Sequence, residues 1–162
     1  MKRSAGIMLW RRSPSGDIEV LLAHPGGPFF AKKDDGHWGI PKGECEPGED
    51  ELDCARREFA EELGIPVPPG DPVPLGELKQ SSSKVNVVWA LEADPGPFEV
   101  RSNLFEMEWP PRSGKRAEFP EVDRAAWFGL EEAERKMFAS QRPFLVRLAD
   151  QTPTDALGRP SR

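Results

Sequence analysis

The chain has 162 residues, 37% hydrophobic and 31% charged, with five Trp, nine Phe and no Tyr. That balance suits one globular domain with its own core and excludes a disordered chain, a membrane-spanning bundle or two ordinary domains. A formal net charge of -6 excludes general attraction to nucleic-acid backbones or anionic membranes, so a polyanionic substrate must be held by local basic groups or by metal ions.

In chain order, Ser4 to Arg12 and Ile18 to His24 are apolar, β-rich runs around Ser13-Pro14-Ser15-Gly16-Asp17, which predicts a hairpin. The apolar part of the first run, Ala5 to Trp10, is shorter than a signal-peptide core and is followed by Arg11 and Arg12 without a second apolar segment, so no export signal is read. Pro25 to Gly36 is rich in breakers and forms a long loop carrying Phe29, Phe30, Lys32 and Lys33. His37 to Pro41 reads as a short strand, and Glu46-Pro47-Gly48 as the turn before a helix from about Asp50 to Leu63, stopped by Gly64 and Pro66. Leu52, Ala55, Phe59 and Leu63 form that helix's buried stripe, and Glu58, Glu61 and Glu62 lie about a quarter turn away.

Leu75 to Gln80 and Lys84 to Ala93 read as strands, the second with Val85, Val87, Trp89 and Leu91 on one side. Phe105 to Trp109 reads as a further short strand, Pro110 to Pro120 as a basic flexible loop, and Ala125 to Phe128 as a strand. Helices are expected from Gly129 to about Phe138 and from Gln141 to Asp150. Residues 1–150 are read as one domain and 151–162 as a flexible tail. Cys45 and Cys54 suggest no disulfide framework and fit a reducing cytoplasm. Strands, a helix, more strands and closing helices imply one mixed sheet covered by helices, an α/β class.

The chemistry is concentrated in Gly43 to Ile65, GECEPGEDELDCARREFAEELGI. Glu58, Glu61 and Glu62 are three and four residues apart, so like charges crowd one helical face at a cost of about 0.2–0.5 kcal/mol per pair unless a cation lies between them. Magnesium suits such carboxylates and shares them with substrate phosphates; manganese fits the same set. Arg57 can hold Glu49 and orient the acids. Gly43 and Gly48 allow a turn tight enough for a carbonyl near Lys42 or Gly43 to reach the ion. The plain alternative is an acidic, solvated helix face.

This run resembles the signature of the Nudix hydrolases, G-x5-E-x7-R-E-U-x-E-E-x-G-U with U a bulky apolar residue, and matches it at Gly43, Glu49, Arg57, Glu58, Phe59, Glu61, Glu62, Gly64 and Ile65. The likeness extends in looser form to His37-Trp38-Gly39-Ile40-Pro41-Lys42 and to Glu121 through Ala133. The resemblance implies an α/β/α sandwich and metal-dependent hydrolysis of a nucleoside diphosphate linked to another group. It implies Glu58, Glu61 and Glu62 as metal ligands or base, with Glu49 and Arg57 supporting them. Either Glu58 or Glu121 can serve as the base; Glu121, six residues before Trp127, resembles a loop glutamate of several members, and Glu118 competes with it. Lys42 matches the lysine of the W-x-x-P-K-G segment, which implies a phosphate contact.

Lys32, Lys33, Arg112, Lys115 and Arg116 can neutralise further phosphates if their loops face the metal; the alternative is solvated loop charge. Phe29, Phe30, His37 and Trp38 are read as base-stacking rings or as core. His24 is read as a strand-end residue, and Cys54 as lying near the acidic face without a nucleophilic role. Pro25 to Gly43 most resembles the diadenosine polyphosphate hydrolase branch, although no Tyr is present to stack adenine. The expected substrate is therefore a nucleotide-type small molecule, a dinucleoside polyphosphate, with nucleoside triphosphates, nucleotide sugars, 5'-end RNA and diphosphoinositols as alternatives. A non-catalytic nucleotide sensor is a further alternative, opposed by the intact box and by the lack of room for a DNA-binding module.

Overall fold

The first strand becomes the hub of the sheet. In the computed structural model, which describes residues 1–152, β1 (Lys2–Arg12) pairs in parallel with β5 (Lys84–Glu92) from Lys2 to Trp10. Its other edge is divided. Trp10 to Arg12 pair antiparallel with β2 (Ile18–Pro25), whereas Ser4 to Gly6 pair antiparallel with β3 (Lys42–Glu44). Residues 39–41 fill the gap: Ala23 and Gly39 exchange backbone hydrogen bonds of 2.8 and 2.9 Å, and Ile7 N donates to Pro41 O at 3.2 Å. With β4 (Val73–Ser81) outside β5 and β8 (Val122–Gly129) outside β2, the order is β4-β5-β1-β2-β8, and β3 joins β1.

Both faces of this mixed sheet are covered. Ala5, Ile7 and Leu9 of β1 join a core with Ala55, Phe59 and Leu63 of α1 (Glu51–Leu63). Met8 and Leu22 join a second core with Ala133 of α2 (Leu130–Lys136) and Phe144, Leu145 and Leu148 of α3 (Arg142–Gln151). The result is the expected α/β/α sandwich. Strand β5, expected to bury one side, buries both: Leu91 lies in the first core and Val88 and Ala90 in the second, because the strand is interior to the sheet. Among the described residues no helix is long and apolar enough to cross a membrane.

Two expectations change. His37 to Pro41 does not run as a strand: Trp38 bridges Met137 and Gly39 bridges Ala23, so the segment changes partners at each step and ladder pairing begins only at Lys42. Residues 110–120 are not all loop. β6 (Leu104–Glu108) pairs antiparallel with β7 (Arg116–Pro120), Phe105 opposite Phe119 and Met107 opposite Ala117, and this cross-strand apolar pairing orders a second, two-stranded sheet. The expected tail lies, from residue 153 on, outside the described residues.

Candidate active site

The acidic helix is anchored before it is charged. Asp50 caps α1 by accepting the Asp53 N–H at 3.0 Å, and Gly64 ends it in the left-handed conformation at φ 80. Ala55, Phe59 and Leu63 are fully buried on the sheet. The helix is therefore fixed in rotation, and Arg57, Glu58, Glu61 and Glu62 face β3 and the loop leading from it.

Arg57 organises three carboxylates. Its guanidinium holds Glu49 in a bidentate pair at 2.8 and 2.9 Å, and its Nη1 reaches Glu58 at 2.9 Å and Glu61 at 3.1 Å. The Arg57 hydrogen bonds, joined by the Glu46 N–H, hold the Glu49 carboxyl down at about 2. The expected Arg57–Glu49 support is thus present, and it extends to two of the three acids of the box.

Glu58 and Glu62 occupy a different environment. A Cβ on Gly43 would lie 2.0 Å from the Glu58 Cδ, so glycine lets β3 and the Glu58 carboxylate sit together where a side chain would push the carboxylate aside. Burial pushes the Glu58 carboxyl up despite its bond to Arg57. Glu62 accepts the backbone N–H of Lys42 at 2.9 Å. Burial, reinforced by the Glu58 charge, pushes Glu62 up to about 8. The Lys42 ammonium is lowered by its own burial, with Glu62 opposing. Glu121, between β7 and β8 at the rim of the box, is exposed like Glu118 on β7; partial desolvation, then the charge of Glu61, raises its carboxyl. Lys42, Glu62 and Glu121 share the wall of a cavity of about 140 Å³ with Gly39, Phe138 and Gln141. Glu118, the competitor of Glu121, is exposed on β7 opposite Glu106.

Among the described residues no three acidic, His or Cys side chains converge on one cation-sized point. Arg57 stands between Glu58 and Glu61, while Glu62 is turned to the Lys42 N–H. The donor chemistry still fits a hard divalent cation: all the donors are carboxylate oxygens from adjacent turns, and Gly43 leaves a cradle against Glu58 that a side chain would fill. Burial first, and the neighbouring carboxylates after it, raise Glu58 and Glu62, and a bound cation would favour their charged forms. The Gly43 carbonyl faces the Cys54 thiol at 3.7 Å.

The outlying residues are distributed unevenly. Lys32 and Lys33 line an open recess of about 410 Å³ with Trp38, Arg124 and Lys136. Trp38 is 5% exposed, its ring edge-on to His24 and Phe128 and its Nε1 bonded to Asp34, so of the two readings it is core and not an open stacking platform. His24 is fully buried, with Nδ1 at 2.8 Å from Asp123 and Nε2 at 2.7 Å from the Lys33 carbonyl oxygen, and so ties the loop to β8. Arg116 is ion-paired with Glu106, and the Arg112 N–H is bonded to Glu108. Both arginines are exposed on the β6–β7 hairpin, and neither touches the carboxylate cluster among the described residues. Phe29 is exposed beside Trp109, and Phe30 neighbours His37. Cys54 is buried, which raises its thiol well above the usual range and removes nucleophilic character. Phe138 and Gln141, which the sequence reading used only to bound helices, line the same cavity as Glu62.

A family model described as NUDIX domain matches residues 1–148. A bis(5'-nucleosyl)-tetraphosphatase [asymmetrical] from Caenorhabditis elegans is 40% identical over 63 residues, 39% of this chain and 41% of that protein. The Mus musculus protein of the same description is 29% identical over 141 residues, 81% of each chain. Among solved structures, a C. elegans Ap4A hydrolase binary complex superposes with a TM-score of 0.67 at 23% identity, covering 93% of this chain and 97% of that one. With a box complete in sequence and assembled around Arg57, and a family model spanning the sandwich, the chain belongs to the NUDIX domain family and is a pyrophosphohydrolase.

Proposed function

We propose that the enzyme hydrolyses a phosphoanhydride bond in a dinucleoside polyphosphate, using magnesium, or manganese in its place. The observation that carries the reading is the shared cavity wall of Lys42, Glu62 and Glu121 beside the Arg57-centred box. The substrate class is drawn from the likeness to the bis(5'-nucleosyl)-tetraphosphatases of C. elegans and mouse. Glu58, Glu61 and Glu62, with the Gly43 carbonyl, are the proposed cation ligands. A divalent cation held there supplies a Lewis acid that draws charge from the phosphate oxygens.

Arg57 and Glu49 hold Glu58 and Glu61 in place, so the acids need little reorganisation before reaction. Glu58 and Glu121 both have raised carboxyls and are the two candidates to take the proton from the attacking water. Lys42 presents a poorly solvated ammonium to a substrate phosphate oxygen. Lys32 and Lys33 are assigned to more distal phosphates. Trp38 contributes by fixing their loop through Asp34, while Arg112 and Arg116 hold at most peripheral roles. The proposed compartment is the cytoplasm, where both free cysteines stay reduced.

A turnover screen of dinucleoside polyphosphates, nucleoside triphosphates, nucleotide sugars and 5'-triphosphorylated RNA with magnesium, products identified by mass, tests this reading. Diadenosine tetraphosphate is expected to give ATP and AMP at the highest kcat/KM. A higher value for another class would overturn the substrate assignment, and tight nucleotide binding without turnover would turn the enzyme into a sensor.

A further inference from the structure

We propose that His24 is a charged pin: its ring, protonated on both nitrogens, is clamped between the Asp123 carboxylate and the Lys33 carbonyl and so positions Lys32 and Lys33 for the distal phosphates of the substrate. The proposal rests on the reading above, in which those lysines contact phosphate, and adds the residue that holds them. His24 is fully buried near the end of β2. Its Nδ1 lies 2.8 Å from Asp123 Oδ1 and its Nε2 lies 2.7 Å from the Lys33 carbonyl oxygen. A carboxylate and a carbonyl oxygen only accept, so both ring nitrogens must donate, and a ring that donates twice is an imidazolium. Asp123 is the carboxylate of this pair: its side chain is 31% exposed, and the Arg124 guanidinium lies 3.9 Å from the same Oδ1. The charge on the buried ring is thus paired and hydrogen-bonded, the condition under which a buried charge is tolerated.

The ladder between β2 and β8 is built to bring these groups together. His24 pairs with Arg124 and Pro25 with Val122, so Asp123 is the extra residue of a bulge. Regular alternation would turn Asp123 to the face opposite Arg124, and the bulge re-aims it toward the His24 ring.

On the loop side, Lys33 is held at both of its peptide groups: its N–H donates to the Phe30 carbonyl at 2.9 Å, and its carbonyl accepts from His24. The residues after it are tied to α2, Asp34 by the Lys136 ammonium at 2.7 Å and the Gly36 N–H by the Arg135 carbonyl at 3.0 Å. The side chains of Lys32 and Lys33 remain exposed over the recess they share with Arg124. Cations carried on a backbone that is already fixed lose less freedom when they meet phosphate, and this is how the pin contributes to binding.

The charge and the positioning are tested separately. The chain has two histidines, so in 15N-histidine-labelled protein the variant His37→Gln assigns the His24 signals. At neutral pH His24 is expected to show two slowly exchanging ring N–H protons, and one N–H beside a bare nitrogen overturns the charged pin. For the positioning, His24→Phe keeps a ring and removes both donors. Its KM for diadenosine tetraphosphate should rise about tenfold, the effect of a weakened charge-assisted contact, with kcat changed by less than about twofold. In protein that already carries Lys32→Ala and Lys33→Ala, His24→Phe should add almost nothing to KM, because the pin acts only through those lysines. Asp123→Ala, at a partly exposed position, should show the same rise and the same dependence on the lysines, and it decides the question if His24→Phe fails to fold.

Unchanged KM in the folded variants, or a rise that persists in full without the lysines, overturns the proposal. A natural KM in the protein lacking both lysines shows instead that the phosphate reading of the loop has failed, and the positioning falls with it. If the natural enzyme turns over no nucleotide, the reaction assignment has failed on its own, and calorimetry with inorganic tripolyphosphate makes the same comparison. Weaker binding in His24→Phe, with no further loss in the lysine background, supports the pin, and equal binding overturns it.

Discussion

The box and the walls around it are built in opposite ways. Between Gly43 and Glu62, Arg57 gathers Glu49, Glu58 and Glu61 over short sequence distances, on one helix and its preceding turn. The walls are assembled across the chain: Gln141 bonds Ile40 over 101 residues and His24 reaches Asp123 over 99. On the proposed function the box serves the reaction and the walls serve choice, so substitutions in the two should separate by kinetic parameter.

The largest effect is expected in the box. Glu58→Gln or Glu62→Gln should lower kcat by about 10²–10⁴-fold, the range for removing a group that acts on the reacting atoms or holds those that do. Steady-state kinetics with saturating magnesium checks this, and a fall confined to KM would place these acids in the walls. Gly43→Ala comes next. Its new Cβ would meet the Glu58 carboxylate, the movable end of a flexible side chain, so the carboxylate should shift and kcat fall, with a stability loss below the roughly 1–3 kcal/mol typical of a rigid overpacked core. Denaturant unfolding and kinetics on the same sample decide whether the close approach matters to both.

The walls should respond more mildly and in KM. Replacing Lys32 and Lys33 together by Ala should raise KM by about tenfold with kcat nearly unchanged, the effect expected for lost charge-assisted contacts. The same change at Arg112 and Arg116 should move KM less, because Arg116 is already paired with Glu106. Equal effects of the two pairs would mean that the hairpin closes on the substrate as fully as the Lys32 loop.

The smallest effect sharpens a contrast inside the box. Glu49 and Glu62 lie on the two sides of Arg57's reach, one held down at about 2 and the other pushed up to about 8, from an ordinary 4.5. The native protein keeps the Glu62 proton that the unfolded chain has already released, so stability in chelator should fall as pH rises between 4.5 and about 8. Glu49 has the opposite sign: its contribution is present above 4.5 and lost as pH falls through about 2. Thermal melts should show the first trend in the natural protein and a flatter profile in Glu62→Gln.

This division also explains what the sequence made legible. The helix, its Gly64 stop and the Arg57–Glu49 pair follow from spacing along one stretch of chain and stand where spacing puts them, as do Ala55, Phe59 and Leu63 of the stripe; at its start Cys54 is fully buried and Leu52 only half-buried. Glu121, set ahead of Glu118 by resemblance to a loop glutamate, lines the cavity it shares with Glu62. The β6–β7 hairpin was half hidden, because the pairing that orders residues 116–120 is with residues 104–108 across a basic turn. Trp38 looked available for stacking because burial depends on Phe128 and His24, which come from other strands. Gln141 carried no local signal at all: its place in the cavity wall comes from the Ile40 N–H, 101 residues away in the chain.

The central claim is tested most directly by hydrolysing diadenosine tetraphosphate in 18O-labelled water with magnesium and weighing the products. The account predicts ATP and AMP, one 18O in only one of them, and loss of both products in Glu62→Gln. Unlabelled products, paired ADP, or undiminished turnover by Glu62→Gln would contradict it.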